Sequence, residues 1–368
     1  MQLYDVPTDT RLFGQDGGTD SFRLNGLLPA PMAEEAFSEI SAWPEYAPSP
    51  IRDLSPLAQA VGIGALHYKD ESQRLGIGGV QALGGAYAVL RLSAEILARA
   101  IGSRPALSSV RNGAYIDALR KMTVTVASGD SFGVSVAWEA KLAGCRCRIF
   151  VPTASPAGLV KRIAALDAVA IPVDGDEAAA VRACAAAAAS EGWHALAETQ
   201  DNSALTRFQD ILAGYSVVAS EALDLPAELR PTHVFVQAQA TEMALALAAR
   251  YRHVLGDQGP RLVLVQSQNV DLPNFGGTLP SVVQDSLLQD LAACLTVDDL
   301  AAKSILETLH DRPFVPVETS IAGLLGALGA ASSPTLREAL GIMRDSRILT
   351  LGNESLAGVS YASDMLAI

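Results

Sequence analysis

The residues best suited to chemistry in this chain fall in two short stretches. The first runs from Tyr68 to Leu90, YKDESQRLGIGGVQALGGAYAVL, and reads as a strand end, a glycine-rich turn and a helix start. It carries Asp70, Glu71 and Arg74 on the turn, then Gln81 at the helix start and Tyr87 beyond the glycine pair. Carboxylates and a guanidinium can bind charged groups of a small ligand, and a carboxamide can give and accept one hydrogen bond each. The second stretch is SGDSFG, Ser128 to Gly133, in which Ser128, Asp130 and Ser131 sit on a turn at a helix N-terminus and can bind a carboxylate or an amide. The plainer roles of the same residues are a salt-linked turn, an N-cap and a core tyrosine.

These side chains need a scaffold, and the patterning supplies one. Short apolar runs alternate with longer helical segments, the mark of an α/β fold with mainly parallel sheets covered by helices. Strands are expected at residues 65–71, 122–127, 146–152, 168–173, 232–238 and 261–267. The alanine-rich run from Asp176 to Gly192 is a helix on propensity alone. The proline-containing segment from Leu223 to His233 reads as an exposed link where the chain returns between two lobes. The expected division is a larger lobe of residues 1–85 plus 223–368 and a smaller one of residues 86–222.

Composition excludes several function classes. The chain has 368 residues, 49% of them hydrophobic and 18% charged, with a net charge of −13. Nucleic acids and anionic membrane surfaces both require clustered Lys and Arg, so neither is an expected partner. Cys145, Cys147, Cys184 and Cys294 do not form a disulfide framework in a chain of this length, and the scattered histidines show no zinc-type spacing, so no metal is expected. With no signal-peptide core and no apolar run of membrane-spanning length, the expectation is a soluble cytoplasmic protein.

From Tyr46 to Ser355 the chain resembles the fold type II pyridoxal phosphate enzymes, the tryptophan synthase β-like group, and within it the diaminopropionate ammonia-lyases. That family carries K-D-E-S-x-R-F-G-x-x-x-F-K-A-L-G-G, with the Schiff-base lysine before A-L-G-G. The matching residues are Lys69, Asp70, Glu71, Ser72, Arg74, Leu75, Gly76, Val80, Gln81, Ala82, Leu83, Gly84 and Gly85. The resemblance therefore sets Gln81 where the family has lysine, and a carboxamide is neither nucleophilic nor basic. The family's phosphate-binding G-V-G-S turn corresponds to Gln239, Ala240, Thr241 and Glu242, where a carboxylate replaces a phosphate ligand. The family's T-D-G-N-H-G turn corresponds to Ser128–Gly133, and Glu198 matches the second acid of the ammonia-lyases.

The resemblance implies a two-lobed fold, a homodimer and a small amino-acid-like metabolite as ligand. The three altered landmarks lead to the expectation that pyridoxal phosphate is absent. The expected function is a repurposed lyase in which Gln81, Asp130 and Glu198 act in an elimination, addition or cyclisation, with Asp70, Arg74, Tyr87, Ser128 and Ser131 binding substrate in the cleft between the lobes. Two alternatives stand beside it: a pseudoenzyme binding a metabolite or partner protein, and an ordinary cofactor-dependent lyase.

Overall fold

The computed structural model describes residues 9–12, 26–79, 81–196, 202–238, 241–267, 290–297 and 321–352. In chain order the elements are β1 (Asp9–Leu12), α1 (Ala30–Ser41), β2 (Ile51–Asp53), α2 (Ser55–Val61), β3 (Ala65–Asp70), α3 (Gln81–Ile101), α4 (Leu107–Arg111) and α5 (Ile116–Leu119). Next come β4 (Thr123–Ala127), α6 (Ser131–Ala143), β5 (Arg146–Pro152), α7 (Ala157–Ala165), β6 (Val169–Val173), α8 (Glu177–Glu191), β7 (His194–Ala195) and α9 (Asn202–Leu223). The last are β8 (His233–Gln237), α10 (Thr241–Leu255), β9 (Arg261–Ser267), β10 (Leu291–Val297), α11 (Ala322–Ser332), α12 (Pro334–Leu340) and β11 (Arg347–Gly352). Every run that the patterning marks as a strand is one.

The described residues fall into two units. The first takes those within Met1–Ala30, Pro48–Gln73 and Val218–Leu356. It is built on a seven-stranded sheet in the order β1-β10-β9-β8-β11-β3-β2. The inner neighbours pair in parallel, while β1 and β2 close the two edges antiparallel. The C-terminal β11 is inserted between β8 and β3, and all but its first residue are buried. Every residue of β8, HVFVQ, is buried, as expected of a strand covered on both faces. Helix α11, AGLLGALGAAS, is apolar on all sides and accordingly lies in the core, where Leu324, Leu325 and Leu328 meet Phe235, Val265 and Leu295.

The second unit takes the described residues within Pro31–Ala47 and Arg74–Val217. Its sheet is parallel throughout, in the order β6-β5-β4-β7. Central β4, TVTVA, is wholly buried, whereas β6 lies at the edge and there accommodates Pro172, whose missing N–H costs no ladder bond. The alanine run forms α8 as expected. Asp176 caps it by accepting from the Ala179 N–H at 2.9 Å, and Gly192 ends it in the left-handed region.

This division differs from the expected one at 85, because α3 belongs to the second unit from its first residue, and at 222, because the boundary falls between Val217 and Val218 within α9. A Cβ placed on Gly84 would come within 2.6 Å of the Tyr215 ring, and one on Gly214 within 2.6 Å of the Leu83 carbonyl oxygen. A Cβ on Gly85 would overlap Ser135 Oγ at 1.8 Å. The pair Gly84–Gly85 thus seats α3 against α9 on one side and α6 on the other, which explains these glycines by packing alone. Residues 31–47 join the same unit through Trp43, whose ring lies 6.2 Å from that of Trp138. No helix among the described residues is long and apolar enough to cross a membrane.

Candidate active site

The turn that delivers Gln81 is conformationally unusual. Gly76, Gly78 and Gly79 all have positive φ, at 71°, 76° and 84°, and Leu75 joins them at 51°. Glycine enters this region freely, whereas a leucine there costs about 1–2 kcal/mol, so the surroundings must hold it. Two arginines do so. Arg162 of α7 donates to the Ile77 carbonyl oxygen. Arg74 is buried, donates to the Ala47 carbonyl oxygen at 3.1 Å and lies 6.0 Å from the centre of the Tyr46 ring.

Gln81 is the first residue of α3, and both ends of its carboxamide are engaged. Its Nε2 donates to Asp130 Oδ2 at 2.8 Å, and its Oε1 accepts from Ser131 Oγ. A carboxylate accepts only, so the amide nitrogen must face Asp130. Asp130 is in turn the N-cap of α6: its Oδ1 accepts from the Phe132 N–H at 3.0 Å and from Ser128 Oγ at 2.8 Å. Ser128, buried just past the end of β4, also takes the Gly133 N–H at 2.8 Å. Sequence elements 49 residues apart thus bring two helix N-termini, a carboxamide, a carboxylate and two hydroxyls into one network. The positive dipole ends of both helices favour an anion, while Asp130 favours a cation or a donor.

Glu177, at the start of α8, adds to this network and was passed over in the sequence. Its carboxylate lies beside Gly129, whose amide favours the charged form, yet its proton affinity is raised, chiefly by burial and next by the charge of Asp130. No local pattern signals this, because an acid following an N-cap aspartate reads as ordinary helix capping.

The other expected site residues lie elsewhere. Asp70, in the first unit, holds Arg52 at 3.2 Å and accepts from the Ser72 N–H at 3.1 Å, a salt-linked turn. Arg74 pins its turn as described above. Tyr87 is buried on α3 with Arg91 6.0 Å from its ring, and burial pushes its hydroxyl above the ordinary tyrosine range. Neither residue joins the Gln81 network. Thr241 is buried at the start of α10 and donates to the Ala238 carbonyl oxygen at 2.7 Å, with Glu242 in the same first turn. Glu198 and Gln239 lie outside the described residues. Lys69 is fully buried, 2.5 Å from Glu221 and 3.8 Å from Glu71, whose Oε1 accepts from Ser49 Oγ at 2.6 Å.

A family described as pyridoxal-phosphate dependent enzyme matches residues 42–351. The chain belongs to that family. Among its relatives, diaminopropionate ammonia-lyase of Salmonella typhimurium is 25% identical over 335 residues, 82% of this chain and 81% of that one. The apo Escherichia coli diaminopropionate ammonia lyase superposes with a TM-score of 0.83 at 23% identity, covering 100% of this chain and 98% of the other. The same enzyme solved with an aminoacrylate–PLP azomethine intermediate gives 0.81 at 21% identity, over 99% and 97%. The fold is therefore that of the fold type II pyridoxal phosphate enzymes.

Membership in this pyridoxal phosphate family corrects one expectation. Changes at Gln81, at Gln239–Glu242 and in the Ser128–Gly133 turn pointed to a protein without the cofactor, but the family is cofactor-dependent and a structural neighbour carries PLP in its reaction intermediate. Pyridoxal phosphate is the cofactor that the family assigns. What the described residues do not fit is its covalent attachment. Gln81 has no amine, Lys69 is consumed in its buried ion pairs, and Lys121, Lys141 and Lys161 are exposed outside the Gln81 network.

Proposed function

We propose that this pyridoxal phosphate family member acts as an ammonia-lyase-like enzyme on a small amino-acid-derived metabolite, in an elimination, addition or cyclisation, and that Gln81, Asp130 and Ser131 orient that molecule. The observation that carries the reading is the Gln81 carboxamide, fixed at both ends where α3 and α6 begin. The positive ends of the two helices suit the carboxylate of an amino acid, and the Asp130 carboxylate suits its ammonium or a donor on its side chain. Pyridoxal phosphate, when bound to an amino acid, withdraws electrons from the carbon bearing the amine. The part left to the chain's own residues is to align the substrate. A homodimer belongs to the same reading and is checked by light scattering.

The test combines cofactor titration with substitution at residue 81. Parent protein mixed with pyridoxal phosphate should bind it reversibly and show no borohydride-stable mass increase, while Gln81→Lys should gain a stable adduct. Turnover of diaminopropionate or serine should be lost in Gln81→Ala. Unchanged turnover in Gln81→Ala would remove Gln81 from the reaction, and an adduct on Lys69 of the parent would move the chemistry to that residue. One observation favours a second reading, a metabolite-binding protein without catalysis: the Asp130 oxygens already receive donors from Gln81, Ser128 and Phe132, which leaves no idle base. Intact binding of diaminopropionate with no turnover in parent and variants alike would support that reading.

A further inference from the structure

Gly129 lies in the middle of the Ser128–Ser131 turn, and the space beside it is already filled. A Cβ built there would stand 3.1 Å from Glu177 Oε2 and 3.2 Å from Ser155 Oγ. The space a side chain at residue 129 would enter is therefore occupied by a carboxylate from α8 and a hydroxyl from the segment after β5. The Gly129 amide stands beside this carboxylate and favours its charged form. That amide directly precedes Asp130, whose oxygens set the direction of the Gln81 carboxamide.

We propose that Glu177 is a positioning residue of this site: from the first turn of α8 it holds Gly129, and through Gly129 it fixes the direction in which Asp130 and Ser131 meet Gln81. This rests on the reading of the Gln81 network as a ligand-orienting site. A carboxylate that accepts a backbone N–H makes a charge-assisted bond, stronger than the neutral bond an amide would make in its place. The groups that face Glu177 are Asp130 across the turn, Asp176 beside it on its own element, the Gly129 amide and the Ser155 hydroxyl. Both charged neighbours are acidic, so the bond to Gly129 is made against repulsion, and burial adds to the cost of the charge. Protonation of Glu177 removes the repulsion and weakens the hold on Gly129 together, so the order of the turn follows the proton on this one carboxyl.

Two readouts test this separately from the function. The first is hydrogen exchange of the peptide spanning residues 128–133, read as the ratio of variant to parent at each pH. With Glu177→Ala the exchange at neutral pH should be about tenfold faster, the loss of roughly one charge-assisted hydrogen bond. With Glu177→Gln it should be faster at neutral pH but equal to the parent at acid pH, where the parent carboxyl is protonated. The second is the affinity for diaminopropionate, read as the same ratio: it should weaken about tenfold in Glu177→Ala at neutral pH, and in Glu177→Gln be weaker than the parent at neutral pH but equal to it at acid pH. Should Glu177→Ala fail to fold, Glu177→Gln carries both measurements. An unchanged exchange ratio across pH in Glu177→Gln would overturn the proposal. A parent that binds no diaminopropionate, with the exchange effects present, would reject the ligand reading and leave the positioning role standing.

Discussion

Asp130 and Glu139 belong to the same helix, one at its N-cap and one inside it, and their surroundings are opposites. Asp130 is exposed, yet its oxygens receive donors from Gln81, Ser128 and Phe132. Glu139 is completely buried, yet neither of its oxygens receives a hydrogen bond among the described residues. Its one charged contact among the described residues is an ion pair with Arg111 Nε at 3.4 Å. Arg111 is itself shared: it donates to Glu45 at 2.8 Å and lies over the Trp43 and Trp138 rings, 4.5 and 5.1 Å from their centres. Burial pushes the Glu139 carboxyl up to about 8, against the pull of Arg111. The comparison teaches that satisfaction of a carboxylate follows from where backbone donors converge, not from how deeply it lies. A helix N-terminus offers free N–H groups, and a helix interior offers none.

The largest effect that can break this contrast is at Glu139. In the unfolded chain its carboxyl loses its proton near 4.5, in the folded chain near 8. Between those values the folded state holds a proton that the unfolded state releases, so stability is fully present below about 4.5 and falls as pH rises toward 8, by several kcal/mol. Glu139→Gln should remove that loss, so that urea denaturation midpoints of the variant fall less than the parent's between pH 5 and about 9. Parallel declines in both proteins would mean that Glu139 is ionised and satisfied in the fold. Arg111→Ala, which removes the ion-pair partner of Glu139, should cost about 3–5 kcal/mol wherever that carboxyl is ionised and far less at pH 5.

A smaller effect is expected at the glycines that seat α3. In Gly214→Ala the new methyl meets the Leu83 carbonyl oxygen at 2.6 Å and Gly84 Cα at 2.8 Å, backbone that cannot turn aside, and the cost should be about 1–3 kcal/mol by thermal denaturation. Gly85→Ala should cost less, because the closest atom it meets is the Ser135 hydroxyl, which can rotate. The reverse order would show that α3 is held by α6 and not by α9.

The smallest effect is at the satisfied end. Asp130→Ala removes an N-cap and frees the Gln81 amide, and should lower stability by about 1 kcal/mol. Asp130→Asn, which keeps an acceptor for the Phe132 N–H, should recover most of it. A loss in Asp130→Ala as large as that of Arg111→Ala would erase the distinction drawn between the two ends of the helix.

Much of this was legible locally. Runs such as TVTVA and RCRIFVP are strands because apolar and β-branched residues in unbroken sequence suit a strand buried on both faces. Asp176 and Gly192 bracket an alanine helix with an N-cap and a left-handed C-cap. SGDSFG places an N-cap where a cap is found, and the motif around A-L-G-G led to the family that the chain belongs to. The cofactor expectation went the other way. It weighed three altered positions against a whole-chain likeness, and the likeness over residues 42–351 decides for pyridoxal phosphate.

The sequence by itself determined the strand runs, the caps, the glycine turn and the family. All of these rest on propensities and spacings that act within a few residues or on a motif read as a string. Only the tertiary structure decided which polar groups meet. Gln81 finds Asp130 across 49 residues, Arg91 finds Asp210 across 119, and the β11 strand enters between β8 and β3 from the far end of the chain. The same holds for Glu177, whose role depends on the space left beside Gly129, and for Glu139, whose titration depends on burial that no neighbour in sequence imposes. Hydrogen bonds and desolvation act over a few ångströms in space, and nothing along the chain records which distant residue will stand at that distance.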